Sequence, residues 1–463
     1  MSFVTDHNAA DGRAIPGVVT QRSRNDDTPS VKAEAIKLLK ARDNWTNWRH
    51  LLQIYGVIAA TIAGAIAANA WPATQGIGGG WGVLINAVAI LVLGAAQHQF
   101  GGAIHEGTHF LLFKDRRLNE LASDWLAAFP IYTSTYQFRI HHLAHHQFVN
   151  DPERDPDIAQ LKESGHWLDF PVPPIELLWS FVKALSPSRL VFFTLVRAKY
   201  SAVGFDRHAY VDPTDQGSKW PLRVGVIYGV AVPIVVSELI RLGRDQAAVA
   251  ILVAATVVAL AYLVMVPERL FIQTRLAPVI SHRATMICRV SYFAALYGTL
   301  TLVTVTGWAS AWHYFLLYWV LPLFTAFPLF MMLRQWVQHG NADRGRYTNT
   351  RVFLTGPLAR YAVFPWGMDY HLPHHLIASV PHYNLPRLHE LLLLRDPAYR
   401  EKGVVLHGFV TSEQGPSALG ALGPAHAPAG RERVFVDNAA LEYAELRDAA
   451  AIALEAARSA EAV

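Results

Sequence analysis

Long apolar runs separated by polar stretches set the organisation of the chain. Leu52 to Ala70 and Trp81 to Gln97 are each close to the roughly 20 apolar residues that a helix needs to cross a bilayer. Four more candidate runs follow residue 223. We therefore predict up to six membrane spans, at residues 52–70, 81–97, 224–240, 247–266, 290–308 and 314–332. The number falls to four if 224–240 and 247–266 form only a buried or interfacial hairpin.

The remaining segments are too polar or too interrupted to span a membrane. Residues 115–222 carry many charges and two shorter apolar pieces, 118–131 and 175–196, which we predict to be interfacial or cap helices. The predicted fold class is an all-α integral membrane protein with four to six transmembrane helices and a cytoplasmic helical cap that carries histidines. Its predicted parts are a disordered tail and pre-membrane helix at 1–44, a membrane domain at 45–400 and a cytoplasmic tail with a surface helix at 401–463.

The composition supports a membrane protein. Hydrophobic residues make up 52% of the chain and charged residues 16%, against about 25% charged residues in a typical soluble domain. The mean hydropathy is +0.20 and the net charge is +4. In a membrane protein, we interpret this net positive charge as lysines and arginines in cytoplasmic loops rather than as a sign of nucleic-acid binding. The single cysteine, Cys288, excludes an internal disulfide and a cysteine-rich metal site.

Three short stretches concentrate histidine at helical spacing. They read HEGTH at 105–109, RIHHLAHH at 139–146 and DYHLPHH at 369–375. Because residues three or four apart share one face of a helix, each stretch presents its imidazoles together. Imidazole is the commonest side-chain metal ligand. Eight helically spaced histidines exceed what one ion binds, so the sequence predicts two ions, without choosing between zinc, copper, iron and nickel.

Span parity predicts that the three stretches lie on one side of the membrane. No span separates the first two, and four spans, an even number, separate the second from the third. The loop 267–289 on the histidine side holds four arginines. On the other side, the loops 71–80 and 309–313 hold no lysine or arginine, and the loop 241–246 holds only Arg241 and Arg244. By the positive-inside rule we expect the histidines and both termini to be cytoplasmic, in the cell inner membrane.

The three stretches, in this order and around membrane spans, resemble the histidine boxes of the membrane fatty-acid desaturase superfamily over roughly residues 50–395. The resemblance implies an integral membrane enzyme with two iron ions that uses O2 and two electrons to remove two hydrogens from an acyl chain. It implies a lipid-linked or thioester-linked acyl substrate, surrounded by membrane lipid. It also implies metal ligands at the matching positions, which are His105, His109, His142, His145, His146, His371, His374 and His375. His141 stays outside the pattern, although an HxxxHH alignment could include it.

A ninth ligand is predicted from its position. Family members often carry one more ligand histidine after the last span, and His339, about two helical turns beyond Met332, is well placed for it. The alternative is that His339 only caps its helix. Gln335, one turn earlier, would bring a polar amide near the metal. We expect His98 to be an ordinary interfacial histidine and His382 to belong to a packed helix.

Acidic residues follow the second histidine stretch closely. Some of them could accept the second N–H of a ligand histidine and so fix its tautomer, although for any single acid a solvated loop position is the simpler interpretation. The candidates are Asp151, Glu153, Asp155 and Asp157.

Other functions remain open at this point. A hydroxylase or ketolase on the same scaffold, acting on an alkane, a sphingolipid or a carotenoid, would use the same ligands. A membrane haem protein or metal transporter would need histidines or other polar groups within the spans, which are nearly free of ionisable groups. The chain has no cysteine cluster and no dinucleotide fingerprint, so we expect an external electron donor such as ferredoxin. A basic cytoplasmic surface would suit such an acidic partner.

Overall fold

The computed structural model describes residues 29–74, 80–203, 210 and 217–424. The predicted disordered tail and C-terminal surface helix lie outside these residues and stay predictions. The first helices are α1 (Pro29–Leu39), α2 (Trp45–Thr74) and α3 (Gly80–Thr108). Shorter helices follow, namely α4 (Arg116–Ser123), α5 (Thr135–Gln147), α6 (Pro156–Glu163), α7 (Pro174–Ala184) and α8 (Pro187–Ala198).

The second half of the described chain begins with long helices and ends with short elements. The helices are α9 (Trp220–Arg241), α10 (Asp245–Met265), α11 (His282–Val305), α12 (Ala311–Phe315), α13 (Leu321–Phe324) and α14 (Ala326–His339). The C-terminal elements are β1 (Arg351–Leu354), α15 (Pro357–Val363), α16 (His371–Leu376), α17 (Leu385–Arg395), α18 (Pro397–Lys402), β2 (Val404–His407) and α19 (Ala418–Leu422).

Six helical segments of the described chain are long and apolar enough to cross a membrane, which confirms the larger predicted number. They are α2, α3, α9, α10, α11 and the run from α12 to α14. One predicted boundary is wrong. The loop that we extended to residue 289 ends before His282, because Ser281 caps α11 by accepting from Ala284 N. α14 continues past the apolar run that ends at Met332 and reaches His339, as expected from the position of His339 about two helical turns beyond that run.

The two shorter apolar pieces form broken helices that do not meet the length of a span. In the first piece, α4 passes into a π-helical turn at Asp124–Ala128 and a 3-10 turn at Phe129–Ile131. In the second, α7 and α8 leave apolar side chains such as Ile175 and Phe192 exposed. Their predicted place at the membrane interface stays a prediction.

The membrane part of the fold packs around α3, which contacts α2, α5, α14 and α15. Gly94 permits a close approach, since a Cβ added there would lie 2.7 Å from Phe327 N of α14. Gly102 does the same for the turn that precedes α16, because an added Cβ would lie 2.6 Å from Trp366 Cδ1. These contacts draw α14 and the segment before α16 against the histidine-bearing half of α3.

The predicted all-α fold class is confirmed, and one short parallel sheet accompanies the helices in the described structure. β1 pairs with β2 from Arg351 opposite Val404 to Leu354 opposite His407. Between the two strands the chain forms α15, α16, α17 and α18. The sheet therefore ties together the two ends of the segment that carries the third histidine stretch. The predicted boundary at residue 400 is not tested by this pairing and stays a prediction.

Candidate metal centre

The first histidine group lies where α3 ends against α5 and α16. His105 is in the last turn of α3, and His109 follows one turn later, with its N–H donating to His105 O at 3.4 Å. α5 contributes His142 and His146, and α16 contributes His374. All five side chains are buried, and one ring nitrogen of each lies within 4.8 Å of the others.

The second histidine group lies beside the first. His145 comes from α5, His339 is the last residue of α14, and His371 and His375 come from α16. One ring nitrogen of each again lies within 4.8 Å of the others. Helical geometry separates the histidines of α5 into the two groups. Relative to position 142, position 146 is rotated about 40° around the helix axis in one direction, and position 145 about 60° in the other.

Together the two groups contain all nine histidines that the sequence predicts as ligands. His141 belongs to neither group, as expected. The structure brings the nine histidines together, whereas their role as metal ligands stays a prediction. The first histidine stretch contributes to the first group alone, and the second and third stretches each contribute to both groups.

The spacing of the ring nitrogens tests whether metal ions fit. His109 Nε2 lies 3.0 Å from His142 Nε2, and His371 Nε2 lies 3.0 Å from His339 Nε2 and 3.1 Å from His375 Nε2. Two neutral imidazoles can share only one proton across such a contact. Two nitrogens bound at right angles to one ion, at about 2.1 Å each, would lie about 3.0 Å apart. The nitrogens in each group therefore fit one metal ion.

Burial keeps the imidazoles in the form that binds metal. It lowers the pKa of His142, His146 and His374 well below the ordinary value, and charge on neighbouring histidines lowers it further. A histidine must present a deprotonated ring nitrogen to coordinate an ion. These three side chains are therefore ready to bind metal at neutral pH.

His145 differs from these three because a carboxylate holds it. Its Nδ1 donates to Asp155 Oδ1 at 3.0 Å, and Asp157 Oδ2 lies 3.7 Å away. Burial alone would lower the pKa of His145, but the two carboxylates raise it above the ordinary value. The bond to Asp155 places the proton on Nδ1 and leaves Nε2 for the group. Asp155 therefore occupies the supporting position that we considered for the acids of this loop.

The other acids of the loop make different contacts. Asp157 Oδ1 lies 2.7 Å from His141 Nε2 and 2.7 Å from Arg197 Nη1. Although burial would raise the pKa of Asp157, Arg197 and the histidines hold it well below the ordinary value. Asp151 pairs with Arg344 at 2.8 Å instead of with a histidine. Only one of the four candidate acids thus supports a histidine of the two groups at hydrogen-bond distance in the described structure.

Two histidines outside the groups, His98 and His382, are buried and make hydrogen-bond contacts within the fold. His98 is only 1% exposed and its Nδ1 contacts Ala362 O at 2.9 Å, so the expectation of an interfacial histidine is wrong. α15 lies over this part of α3 and excludes water from it. His382 is packed, as expected, with Nε2 2.9 Å from Asn47 Oδ1 and its N–H donating to Glu106 Oε2 at 3.0 Å.

Sequence reasoning missed a buried ion pair beneath the first group. Arg139 Nη2 donates to Glu120 Oε2 at 2.7 Å and to Gly107 O at 2.9 Å, and its Nε donates to Thr108 O at 2.9 Å. The guanidinium therefore donates to two carbonyls in the last turn of α3, where the carbonyls of a helix lack the usual helical partners. It fixes the turn between His105 and His109. Arg139 lies 19 or more residues from each of these partners in the chain, so no local sequence pattern predicts the contacts.

A cavity of about 800 Å³ opens beside the second group. His145 and His339 belong to its wall, whereas no histidine of the first group does. Gln335, one turn before His339 on α14, also lines the cavity and is buried. The amide that we expected near the metal therefore borders the space next to the second group.

Comparison with known proteins agrees with this geometry. A family model described as fatty acid desaturase matches residues 81–268 and 208–406, which include all three histidine stretches. The chain is also 22% identical over 385 residues to the dihydrorhizobitoxine desaturase of Bradyrhizobium elkanii, an alignment that covers 81% of this chain and 84% of that protein. With its histidine stretches gathered at the ends of membrane-length helices, the chain belongs to the fatty acid desaturase family.

Proposed function

We propose that this protein is an O2-dependent desaturase that removes two hydrogens from an acyl chain at a di-iron centre held by the two histidine groups. The observation that carries the proposal is the meeting of two all-imidazole groups at the ends of membrane-length helices, with every imidazole except that of His339 buried. Membership of the family supports oxidation chemistry. The name of the relative supports desaturation over hydroxylation or ketolation.

The histidine groups would each hold one iron. The first iron would be held by His105, His109, His142, His146 and His374, and the second by His145, His339, His371 and His375. When bound, the iron pair supplies the activation of O2 that breaking unactivated C–H bonds requires. The chain's own part is to hold the imidazoles in place, and Asp155 does this for His145 by accepting its Nδ1 proton.

The overall reaction balances with an external reductant. Two adjacent CH2 groups each lose one hydrogen and a carbon–carbon double bond forms, which releases two electrons and two protons. The donor supplies two more electrons, and two further protons come from water. The O–O bond breaks and both oxygen atoms leave as water. Ferredoxin is the donor class that we propose, because the single cysteine leaves the chain no iron–sulfur site of its own.

The substrate we propose is an acyl chain linked to a lipid or to a thioester, and product mass tests the reaction. We expect expression in a host of defined lipid composition to yield acyl products lacking two hydrogens. A matched His375→Ala variant should yield none, because His375 belongs to the second group. A product that gains one oxygen would replace the proposal with a hydroxylase or ketolase.

Metal analysis tests the centre separately from turnover. We expect about two irons per chain in active protein, because imidazole donors of the kind found here suit iron. Active protein that holds one zinc and no iron would contradict the di-iron proposal.

We also propose that the histidines and both termini face the cytoplasm and that the protein resides in the cell inner membrane. The proposal rests on six spans and on Arg269 and Arg275, which lie in the loop between α10 and α11 on the histidine side. Cys288 is a poor reporter, since it is partly buried within α11. In a Cys288→Ser background, Ser310→Cys should react with an impermeant thiol reagent outside intact cells, whereas Arg269→Cys should not. The reverse result would invert the topology.

A further inference from the structure

Two of the four histidines in the second group have a hydrogen-bond acceptor at Nδ1. His145 Nδ1 lies 3.0 Å from Asp155 Oδ1, and His339 Nδ1 lies 3.2 Å from the backbone carbonyl oxygen of Asn349. The other two histidines of the group have no hydrogen-bond partner at Nδ1 in the described structure. An acceptor at Nδ1 fixes the orientation of the ring and leaves Nε2 for a metal ion. The two supported imidazoles therefore set the geometry of the group.

Both acceptors are hydrogen-bonded to one further residue, Asn150. Its backbone N–H donates to Asp155 Oδ2 at 2.8 Å, and its side-chain Nδ2 donates to Asn349 O at 2.7 Å. A carbonyl oxygen has two lone pairs, so Asn349 O can accept from Asn150 and from His339 together. Asn150 therefore joins the support of His145 to the support of His339.

The side-chain amide of Asn150 can have only one orientation. Besides its contact with Asn349, Nδ2 donates to Asp343 O at 2.6 Å. Both partners are backbone carbonyls, which only accept, so the NH2 group and not the amide oxygen must face them. Both N–H bonds of the amide are used in this way. The amide ties the loop after α5 to the loop after α14, whose residues lie 193 and 199 positions away in the chain.

The backbone of Asn150 has a left-handed conformation, with a φ of 59°. Asparagine adopts this conformation more readily than most residues that have a Cβ. Asn150 follows α5, which ends at Gln147, and precedes Asp155, the N-cap of α6. The turn brings its N–H to one oxygen of Asp155, while the other oxygen accepts from Asp157 N at 2.9 Å. This position thus uses two properties of asparagine, its tolerance of a left-handed backbone and its carboxamide.

The loop that the Asn150 amide binds also closes the end of α14. Thr350 Oγ1 donates to Gln338 O at 3.0 Å, in the last turn of the helix, where carbonyls lack helical partners. His339 is the last residue of α14. A shift of this loop would therefore change the position of the His339 ring as well as its hydrogen bond.

We infer that Asn150 is a positioning residue for the second histidine group, which fixes the rings of His145 and His339 relative to each other by binding both of their Nδ1 acceptors. The inference rests on the proposed function in one respect, namely that the second group holds a metal ion. It does not depend on which ion, because imidazole suits zinc as well as iron. The two supports belong to the second group, so metal binding by the first should not depend on Asn150.

Zinc binding by metal-free protein tests the inference without turnover. Full-length protein in detergent would be titrated with Zn2+ by calorimetry. Asn150→Gly removes the amide and keeps a residue that adopts a left-handed backbone, so it separates the amide from the turn. We expect this variant to bind one Zn2+ about 10–100-fold more weakly than the unaltered protein, the range usual for loss of an outer hydrogen-bond partner, and to bind the other ion as before.

The matched control is Asn341. It is also half-buried with a left-handed backbone, at a φ of 55°, and its Nδ2 also faces two carbonyls, Ala421 O at 2.9 Å and Gly423 O at 3.4 Å. These carbonyls lie at the end of α19 and support no histidine of the two groups. Asn341→Gly should therefore bind both Zn2+ ions with the affinities of the unaltered protein. An equal loss of affinity in both variants would overturn the inference.

A second background separates positioning from a general loss of structure. The double variant His371→Ala with His375→Ala leaves two imidazoles in the second group, fewer than the three protein ligands usual even for an open zinc site. The remaining Zn2+ is then held by the first group, and adding Asn150→Gly should not change its affinity. Weaker binding of that ion would overturn the inference, as would unchanged binding of both ions by Asn150→Gly alone.

The outcomes distinguish this inference from the proposed function. Its failure would leave the iron content and the product mass of the unaltered protein as they are. Active protein without iron, or a product that gains one oxygen, would instead overturn the proposed function and leave the Zn2+ affinities of the Asn150 and Asn341 variants as expected.

Discussion

The two histidine groups differ in how completely the protein encloses them. The first has five imidazoles and no contact with the large cavity, whereas the second has four and shares His145 and His339 with the cavity wall. A metal site with fewer protein ligands and an open side can accept an exogenous ligand, as catalytic sites do, whereas a closed site holds its ion. Under the proposed function the two groups would have unequal roles, with the first retaining its metal and the second meeting the substrate.

Removing one histidine from each group should have the largest effect and should test the difference between the groups most directly. His339→Ala leaves three imidazoles in the second group, so we expect iron to fall from about two ions per chain to about one, with turnover abolished. His109→Ala leaves four in the first group, so we expect near-complete iron content with reduced turnover. Metal analysis of purified protein, together with product mass spectrometry, measures both effects.

The control for these variants is a histidine far from both groups. His313 is exposed beside the start of α12, at the opposite end of the last membrane run from His339. His313→Ala should retain iron and turnover. If His339→Ala also kept full iron and activity, His339 would be only a helix cap. His382→Ala is unsuitable as a control, because His382 is buried and bonded to Asn47.

A smaller effect should come from the carboxylate that supports the second group. Asp155→Asn removes the charge that holds His145, and loss of such a partner typically costs about 10–100-fold in metal affinity. The lower affinity should appear in titrations of metal-free protein. Glu153→Gln, at an exposed neighbour without a histidine contact in the described structure, should bind metal as the unaltered protein does. Equal affinity in both variants would remove Asp155 from the site.

Chelation should separate the groups by rate. The second group borders a cavity that a small chelator can enter, whereas the first is enclosed by α3, α5 and α16. We therefore expect iron to leave in two phases of about equal size, and His339→Ala should lack the fast phase. Release of all iron at one rate would contradict the difference in enclosure.

The smallest effect should come from a change in packing at Gly102, which lies on α3 one turn before His105 and contacts Trp366. A Cβ at Gly102 would overlap the Trp366 ring, whereas the nearest atom to a Cβ at Gly101 is 3.8 Å away. Gly102→Ala should cost about 1–3 kcal/mol of stability through overpacking. Gly101→Ala should be neutral or stabilising by up to about 1 kcal/mol, as usual for glycine in a helix. Unfolding midpoints in detergent compare the two, and equal midpoints would contradict the close contact.

Local patterns predicted much of this molecule. The six spans follow from apolar length, and the histidines of α5 and α16 follow from their spacing of three and four residues. His339 was found by its position after the last apolar run. The loop acids were candidates, but only the structure shows that Asp155 caps α6 by accepting from Asp157 N, which turns it toward His145.

Long-range pairing lies beyond such patterns. The contact of Arg139 with Glu120, the burial of His98 under α15 and the division of nine histidines into two groups depend on how distant segments pack. The cavity has the same origin, because its wall combines residues near α6 with others at the end of α14. The sequence contains the residues of these features, but it does not give the distances in space between residues that are far apart in the chain.

The parallel pairing of β1 with β2 has a consequence for biogenesis. A chain is synthesised from its N-terminus, so residues 351–354 must wait for residues 404–407 before the sheet can close. α16, with the three histidines of the last stretch, lies between these strands and is secured only then. Both groups depend on α16. Under the proposed function, iron loading would therefore be a late event, which follows formation of the six membrane-length helices and completion of almost the whole described chain.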